Sequence, residues 1–160
     1  MRRFELHDAE FILALLNEPS FLRYIGDKGV RTLDDARNYL QSGPLESYQR
    51  HGFGLLMVAR RDDQVPVGMC GLLKRDELDD PDVGFAFLPQ FWSLGYGFES
   101  TEAILEYGRD RLEMKRIVGI TSPENDASIR LLLKAGLSFE GKVQLAPDAG
   151  DVNLYAVGYE

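Results

Sequence analysis

Apolar residues fall at helical spacing in four stretches of the chain and in strand-like runs in six others, the two kinds interleaved. From Asp8 to about Leu16, residues Phe11, Ile12, Leu15 and Leu16 share one helical face, and Pro19 lies just past its end. A second helix is predicted from Thr32, an N-cap with Asp34 and Asp35 in the first turn and Leu33, Ala36 and Leu40 as its apolar face. Gly43-Pro44 is expected to break it, with a shorter piece following to His51. Phe53 to Arg60 and Val65 to Leu73 read as strands joined by a hairpin turn at Arg61-Asp62-Asp63-Gln64. A third strand, Val83 to Leu88, follows the acidic loop Asp76 to Pro81.

A long helix is then predicted from about Phe98 to Leu112, lined on one side by Thr101, Ile104, Leu105, Gly108 and Leu112. Arg116 to Thr121 reads as a strand. Asn125 to Ala135 reads as a helix with Ile129, Leu132 and Leu133 inward and Gly136 as a left-handed C-cap. Two strands, Leu137 to Val143 and Val152 to Tyr159, close the pattern. Such alternation implies an α/β domain, and a length of 160 residues with no linker implies one domain spanning 1–160.

Composition narrows the class. At 44% hydrophobic and 28% charged the chain is globular rather than disordered or fibrous. Its net charge of −8 argues against nucleic acid as a partner, since phosphate backbones are bound by excess lysine and arginine. That charge would suit a cationic or amine-bearing substrate. The single cysteine, Cys70, has no partner for an internal disulfide, and with only His7 and His51 besides, a Cys/His metal site is not expected. No apolar run approaches the ~20 residues of a membrane span. No secretory core follows Met1, so a cytoplasmic setting is expected.

The segment from Val83 to Leu112 is a strand, a glycine-containing loop and a helix, in that order. Unpaired N–H groups and the positive dipole end make such a helix start an anion site. Gly95 and Gly97 would let a ligand approach the backbone with no Cβ in the way. A dinucleotide fingerprint would need a third glycine where Ser100 stands, and a P-loop would need Lys-Ser or Lys-Thr where Phe98-Glu99 stand. Both are disfavoured.

Beyond the loop the pattern becomes specific. Asp82-Val83-Gly84 opens the segment, and Phe91-Trp92-Ser93-Leu94-Gly95-Tyr96-Gly97-Phe98-Glu99 follows. Arg116-Ile117, Asn125-Asp126-Ala127-Ser128 and Lys134-Ala135-Gly136-Leu137-Ser138-Phe139-Glu140-Gly141 complete it. This run resembles the GNAT superfamily of acetyl-CoA-dependent N-acetyltransferases, and within it the RimJ/RimL-like branch that acetylates protein N-termini and small amines. The resemblance implies a mixed, twisted sheet with helices on both faces and two splayed central strands that form the acyl-CoA cleft. It implies transfer of an acetyl group from acetyl-CoA to a primary amine by direct attack, without a metal. A protein N-terminus or a small amine would be the partner, and the protein would be a monomer or homodimer.

The same resemblance assigns residues. Backbone N–H groups of Trp92, Ser93, Leu94, Gly95, Tyr96 and Gly97 would hold the pyrophosphate, and the strand ending at Phe87 and Leu88 would hold the pantetheine arm. Asn125 would bond that arm or the neighbouring backbone. Ser128 would protonate the departing thiolate, because the tyrosine found in many members seven residues beyond the asparagine is Leu132 here. The alternative reading of Asn125 and Ser128 is an N-cap and a solvated helix residue. Glu77, Asp82 and Asp148 are the candidate bases, and the acidic run Asp76 to Asp82 is either a solvated loop or a cation-attracting rim. Tyr155 and Asp151 would lie near the acceptor site or in the core, and His51 and Cys70 read as structural. The missing tyrosine leaves an alternative, a catalytically silent acyl-CoA-binding or sensor domain.

Overall fold

The computed structural model describes all 160 residues. Its chain order is β1 (Arg2–Arg3), α1 (Ala9–Leu16), α2 (Pro19–Tyr24), α3 (Leu33–Leu40), α4 (Glu46–His51), β2 (Leu55–Ala59), β3 (Pro66–Leu73), β4 (Asp82–Phe87), α5 (Tyr96–Asp110), β5 (Arg116–Thr121), α6 (Asp126–Lys134), β6 (Ser138–Val143) and β7 (Val152–Gly158). One seven-stranded sheet runs in the order β1-β2-β3-β4-β5-β7-β6. Every neighbouring pair is antiparallel except β4 and β5, which are parallel.

Local chemistry explains most boundaries. Thr32 caps α3 by accepting from the Asp35 amide at 3.1 Å, while the Asp35 carboxylate accepts from the Thr32 amide, a reciprocal capping box. Gly136 ends the α6 segment at φ +94, in the left-handed region. Strands β2 and β3 are apolar on both sides because both sides are covered. Leu55, Met57 and Met69 join the cluster under α1 and α3 with Ile12, Leu15 and Leu40. Val58, Cys70 and Leu72 join the opposite cluster with Ile104, Leu105 and Leu132 of α5 and α6.

Three expectations are corrected. Gly43-Pro44 does not break the helix. The chain widens into a π turn over Gln41–Leu45 and continues into α4, which accommodates Pro44's missing N–H and the crowding of its ring. Pro19 lies just past α1, as expected, and also opens α2 at its first position, where its fixed φ is an asset. Leu133 points out, 49% exposed, whereas Leu132 is fully buried. Leu112 is half-buried beyond the end of α5.

Candidate active site

Strands β4 and β5 touch at one register position, Asp82 opposite Val118, supported by the Val118 amide donating to Pro81 O at 2.9 Å. Beyond it they diverge. On its other side β4 is paired with β3 along its whole length. The Leu88 amide donates to Val67 O at 3.0 Å, so the alternation of an antiparallel ladder turns the N–H and C=O groups of Phe85 and Phe87 away from β3, toward the gap. One of these groups is already used, because Trp92 Nε1 donates to Phe87 O at 2.8 Å. Leu88 offers the gap nothing, since its amide goes to Val67 and its carbonyl accepts from Phe91 at 2.9 Å.

The loop between β4 and α5 forms the mouth of the gap. The Trp92 amide is satisfied by Pro89 O at 3.1 Å, and the first i→i−4 bond of the helix is Glu99 to Gly95 at 3.0 Å. Between these, six consecutive amides, Ser93 through Phe98, donate to no group in the protein. Ser93 at φ +61 and Gly95 at φ +90 alternate left-handed with ordinary backbone, which makes a concave nest of N–H groups at the positive end of a 15-residue helix. That arrangement fits a diphosphate. Trp92's own amide is taken, so the set of free amides lies one residue along from the expected one and includes Phe98.

The two glycines play different parts from those expected. A Cβ on Gly95 would meet only open space, so that residue serves its φ. A Cβ on Gly97 would stand 2.8 Å from Leu131 Cδ1 and 3.6 Å from Phe87 Cε2. Gly97 therefore lets α5 lie close against α6 and β4, a packing role.

Across the gap, β5 leads into α6. Asn125 Oδ1 accepts from the Ser128 amide at 3.2 Å, the neighbouring-backbone role among those considered. Its amide nitrogen and the Ser128 hydroxyl have no partner within the protein, and both residues line the cleft. Thr121 lines it too, and its Oγ1 is buried with no hydrogen-bond partner. Leu132 is fully buried against the Gly119 backbone and Leu137, deep in the core.

The cleft between the splayed strands, α2 and α3 has a volume of about 280 Å³. Asp82 sits at its base, 1% exposed, with Arg75 Nε donating to both carboxylate oxygens at 3.1 and 3.2 Å. Burial pushes the Asp82 pKa above the usual carboxylate range, and the Arg75 guanidinium only partly counters it. Lys28 lines the rim, its pKa lowered first by partial desolvation and then by Arg75. Burial raises the Tyr39 pKa in the same wall.

Of the candidate bases only Asp82 reaches this cleft; Glu77 and Asp148 are exposed elsewhere. Only part of the acidic run is paired, Asp80 by Arg116 and Asp82 by Arg75, while Asp76, Glu77 and Asp79 have no charged partner. Arg116 Nε donates to Asp80 at 2.9 Å and its other nitrogens hold Glu140, while Lys74 Nζ donates to the Leu78 and Asp79 carbonyls. Tyr155 is 3% exposed in the core, and Asp151 does not line the cleft. His51 stacks on Phe53 with centroids 5.8 Å apart. Cys70 is fully buried beside Thr101, its thiol pushed up to about 12, and no base stands near it.

Sequence reading missed Lys28, Arg75, Tyr39, Thr121 and Phe85. Lys28 sits in a Gly-Asp-Lys-Gly loop that carries no motif, and only the fold brings it within reach of Arg75. Phe85 was accessible in principle, since it shares the outward parity of Phe87 along one strand.

The sequence profile of a family described as "Acetyltransferase (GNAT) domain" matches residues 1–138. Among curated proteins, an uncharacterized N-acetyltransferase of Bacillus subtilis, YnaD, is 28% identical over 141 residues, covering 88% of this chain and 79% of that one. A crystal structure of a GNAT-family acetyltransferase from Bacillus anthracis superposes with a TM-score of 0.80 at 26% identity, over 98% of this chain and 92% of that one. The ribosomal α-N-protein acetyltransferase RimL, solved in complex with coenzyme A, matches with a TM-score of 0.80 at 19% identity, over 98% and 92% of the two chains.

Proposed function

Since the chain belongs to the GNAT acetyltransferase family and is an acyltransferase, we propose that it moves an acetyl group from acetyl-CoA to the primary amine of a small molecule or protein N-terminus. The observation that carries this reading is the pairing of two features along one gap. Six free amides stand at one end, and a cleft with unpartnered hydroxyls stands at the other. The first suits the diphosphate of acetyl-CoA and the second its thioester. RimL, which shares the fold, binds coenzyme A.

The residues then divide the work. The amides of Ser93 through Phe98 hold the diphosphate, and the outward groups of Phe85 and the Phe87 amide pair with the pantetheine arm as a missing strand would. In the reaction the amine nitrogen attacks the thioester carbonyl carbon, a C–N bond forms and the C–S bond breaks. The products are the N-acetyl amine and the CoA thiol, with the amine proton lost and the thiolate protonated. An α-amine, of reference pKa ~7.7–8.0, is more easily deprotonated than a lysine side chain at ~10.4. Asp82, the one carboxylate at the cleft, takes that proton directly or through water. Strand amides at the splay receive the developing oxyanion. The Ser128 hydroxyl, one helical turn past Asn125, gives the proton to sulfur.

Steady-state thiol release from acetyl-CoA across a panel of primary amines tests the assignment. Release that requires the amine, with an equal amount of N-acetyl product, is expected. Binding of acetyl-CoA without amine-dependent release would reduce the protein to an acyl-CoA-binding domain.

A further inference from the structure

Despite the overall charge of −8, the acceptor end of the cleft is locally cationic. Its charged lining residues are Lys28, Arg75 and Asp82, two cations against one carboxylate. Asp82 is engaged by Arg75 through Nε alone, which leaves both terminal amino groups of that guanidinium without an acceptor in the protein. No carboxylate of the chain pairs with Lys28, whose surroundings raise the cost of its charge. Thr121 Oγ1 is buried, lines the same cleft and has no partner, and an unmade hydrogen bond at such a group is costly. Every unused side-chain polar group there is a donor or a hydroxyl. The remaining wall is apolar, with Phe21, Ile25, Leu55, Met69 and Leu73.

Resting on the acetyltransferase reading above, we propose that the acceptor is a small amine bearing a carboxylate beside an apolar side chain, with the Arg75 terminal amino groups and the Lys28 ammonium receiving that carboxylate. A planar guanidinium anchored through Nε presents its remaining N–H donors in a fixed fork, the geometry a carboxylate accepts bidentately. Lys28 adds a mobile second charge at the rim. Asp82 beneath Arg75 keeps the fork oriented and stands where the neighbouring amine must lose its proton. A polyamine would bring further positive charge against Lys28 and Arg75. A protein N-terminus would bring an amide where the carboxylate sits. The same cation pair would also accept a carboxylate carried on the acyl chain, and the test separates the two sources.

Leucine, leucinamide, isoamylamine and spermidine are assayed as acceptors with acetyl-CoA, on the parent and on Lys28→Ala. Leucine is expected to exceed leucinamide and isoamylamine in kcat/KM by about tenfold or more, and Lys28→Ala to narrow that ratio to a few-fold. Equal rates on leucine and leucinamide, or a preference for spermidine, would overturn the carboxylate while leaving acetyl transfer intact. Faster turnover of leucinamide with succinyl-CoA than with acetyl-CoA, lost in Lys28→Ala, would move the carboxylate to the acyl donor and overturn the assignment to the acceptor. Calorimetry with N-acetyl-leucine and N-acetyl-leucinamide gives a readout independent of turnover. Tighter binding of the carboxylate in the parent, reduced in Lys28→Ala, supports the site even if no amine is acetylated, an outcome that would refute the transferase reading alone. Equal binding of the two ligands overturns the proposal.

Discussion

Asp82 faces Val118 across the sheet, and this one pair is the whole register between the two parallel strands of the fold. It is the hinge from which β4 and β5 open. The same residue therefore closes the sheet on one side and forms the floor of the acceptor cleft on the other. Its side chain is 99% buried and its only charged partner within hydrogen-bond reach is Arg75. A carboxylate in that position makes fold stability depend on pH.

The sign follows from burial. Asp82 holds its proton to higher pH in the folded protein than in the unfolded chain, where aspartate titrates near ~3.9. Stability contributed by this group thus falls as pH rises from about 3.9 through its folded pKa. Asp82→Asn removes that fall, so urea-denaturation free energies measured from about pH 4 to 7 decline less with pH in the variant than in the parent. Parallel curves would show that Asp82 ionises without cost.

Removing the partner is more damaging. Arg75→Ala leaves Asp82 as an unpaired buried charge and should cost about 3 kcal/mol at neutral pH, the low end for a broken buried pair because a third of the Arg75 side chain meets water. Urea denaturation of the variant at neutral and acidic pH checks this. The loss should shrink in acid, where Asp82 is protonated.

The nest before α5 predicts three unlike outcomes. Ser93→Gly relieves a left-handed serine and retains CoA binding. Gly95→Ala places a side chain at φ +90 and costs about 1 kcal/mol through backbone strain alone. Gly97→Val pushes into Leu131 and Phe87 and costs about 2 kcal/mol by overpacking, with CoA affinity falling as the helix start shifts. Denaturation and calorimetry on the three proteins separate them. Full stability in Gly97→Val would show that the α5–α6 contact gives way freely.

Ser128 has the only cleft-facing hydroxyl on α6. Ser128→Ala is expected to lower kcat by roughly 10- to 100-fold, with little change in KM for acetyl-CoA, because water partly substitutes as the acid. Its backbone N–H still donates to Asn125 Oδ1 after the change, so the helix start is preserved. A kcat within about twofold of the parent would assign the proton to water.

Cys70 serves as a control on covalent chemistry. Its thiol is pushed up to about 12 by complete burial, so at neutral pH it carries almost no thiolate. Labelling by a thiol reagent should proceed only as fast as the protein unfolds, and Cys70→Ala should keep its acetyltransferase turnover. Rapid labelling of native protein would contradict that burial.

The periodic segments were legible because each writes its environment into its own residues. Thr32 with Asp35 states a capping box, and Arg116 to Thr121 reads as the strand it is. A helix after the glycine loop was readable, though the pattern places its start at about Phe98 rather than at Tyr96. The separate tasks of Gly95 and Gly97 were not readable, since one depends on φ and the other on Leu131 in a distant helix. Pro44 misled because Gly-Pro reads locally as a break, whereas a π turn absorbs the missing N–H and lets the helix continue. The acceptor cleft was least visible. Lys28, Arg75 and Thr121 come from three separated segments, and only the folded chain brings together the Lys28 ammonium, the terminal amino groups of Arg75 and the Thr121 hydroxyl that no group of the protein uses.

The central claim is direct transfer from acetyl-CoA to an amine held at the splay, with no acyl-enzyme between them. Its most direct test is a single turnover with acetyl-CoA isotopically labelled in the acetyl group, quenched at intervals, with intact-mass analysis of both the protein and the amine. Label should appear on the amine nitrogen at the rate at which CoA thiol is released, and the protein should remain unlabelled throughout. Label accumulating on the protein, or remaining on CoA while an amine is bound, would contradict the account.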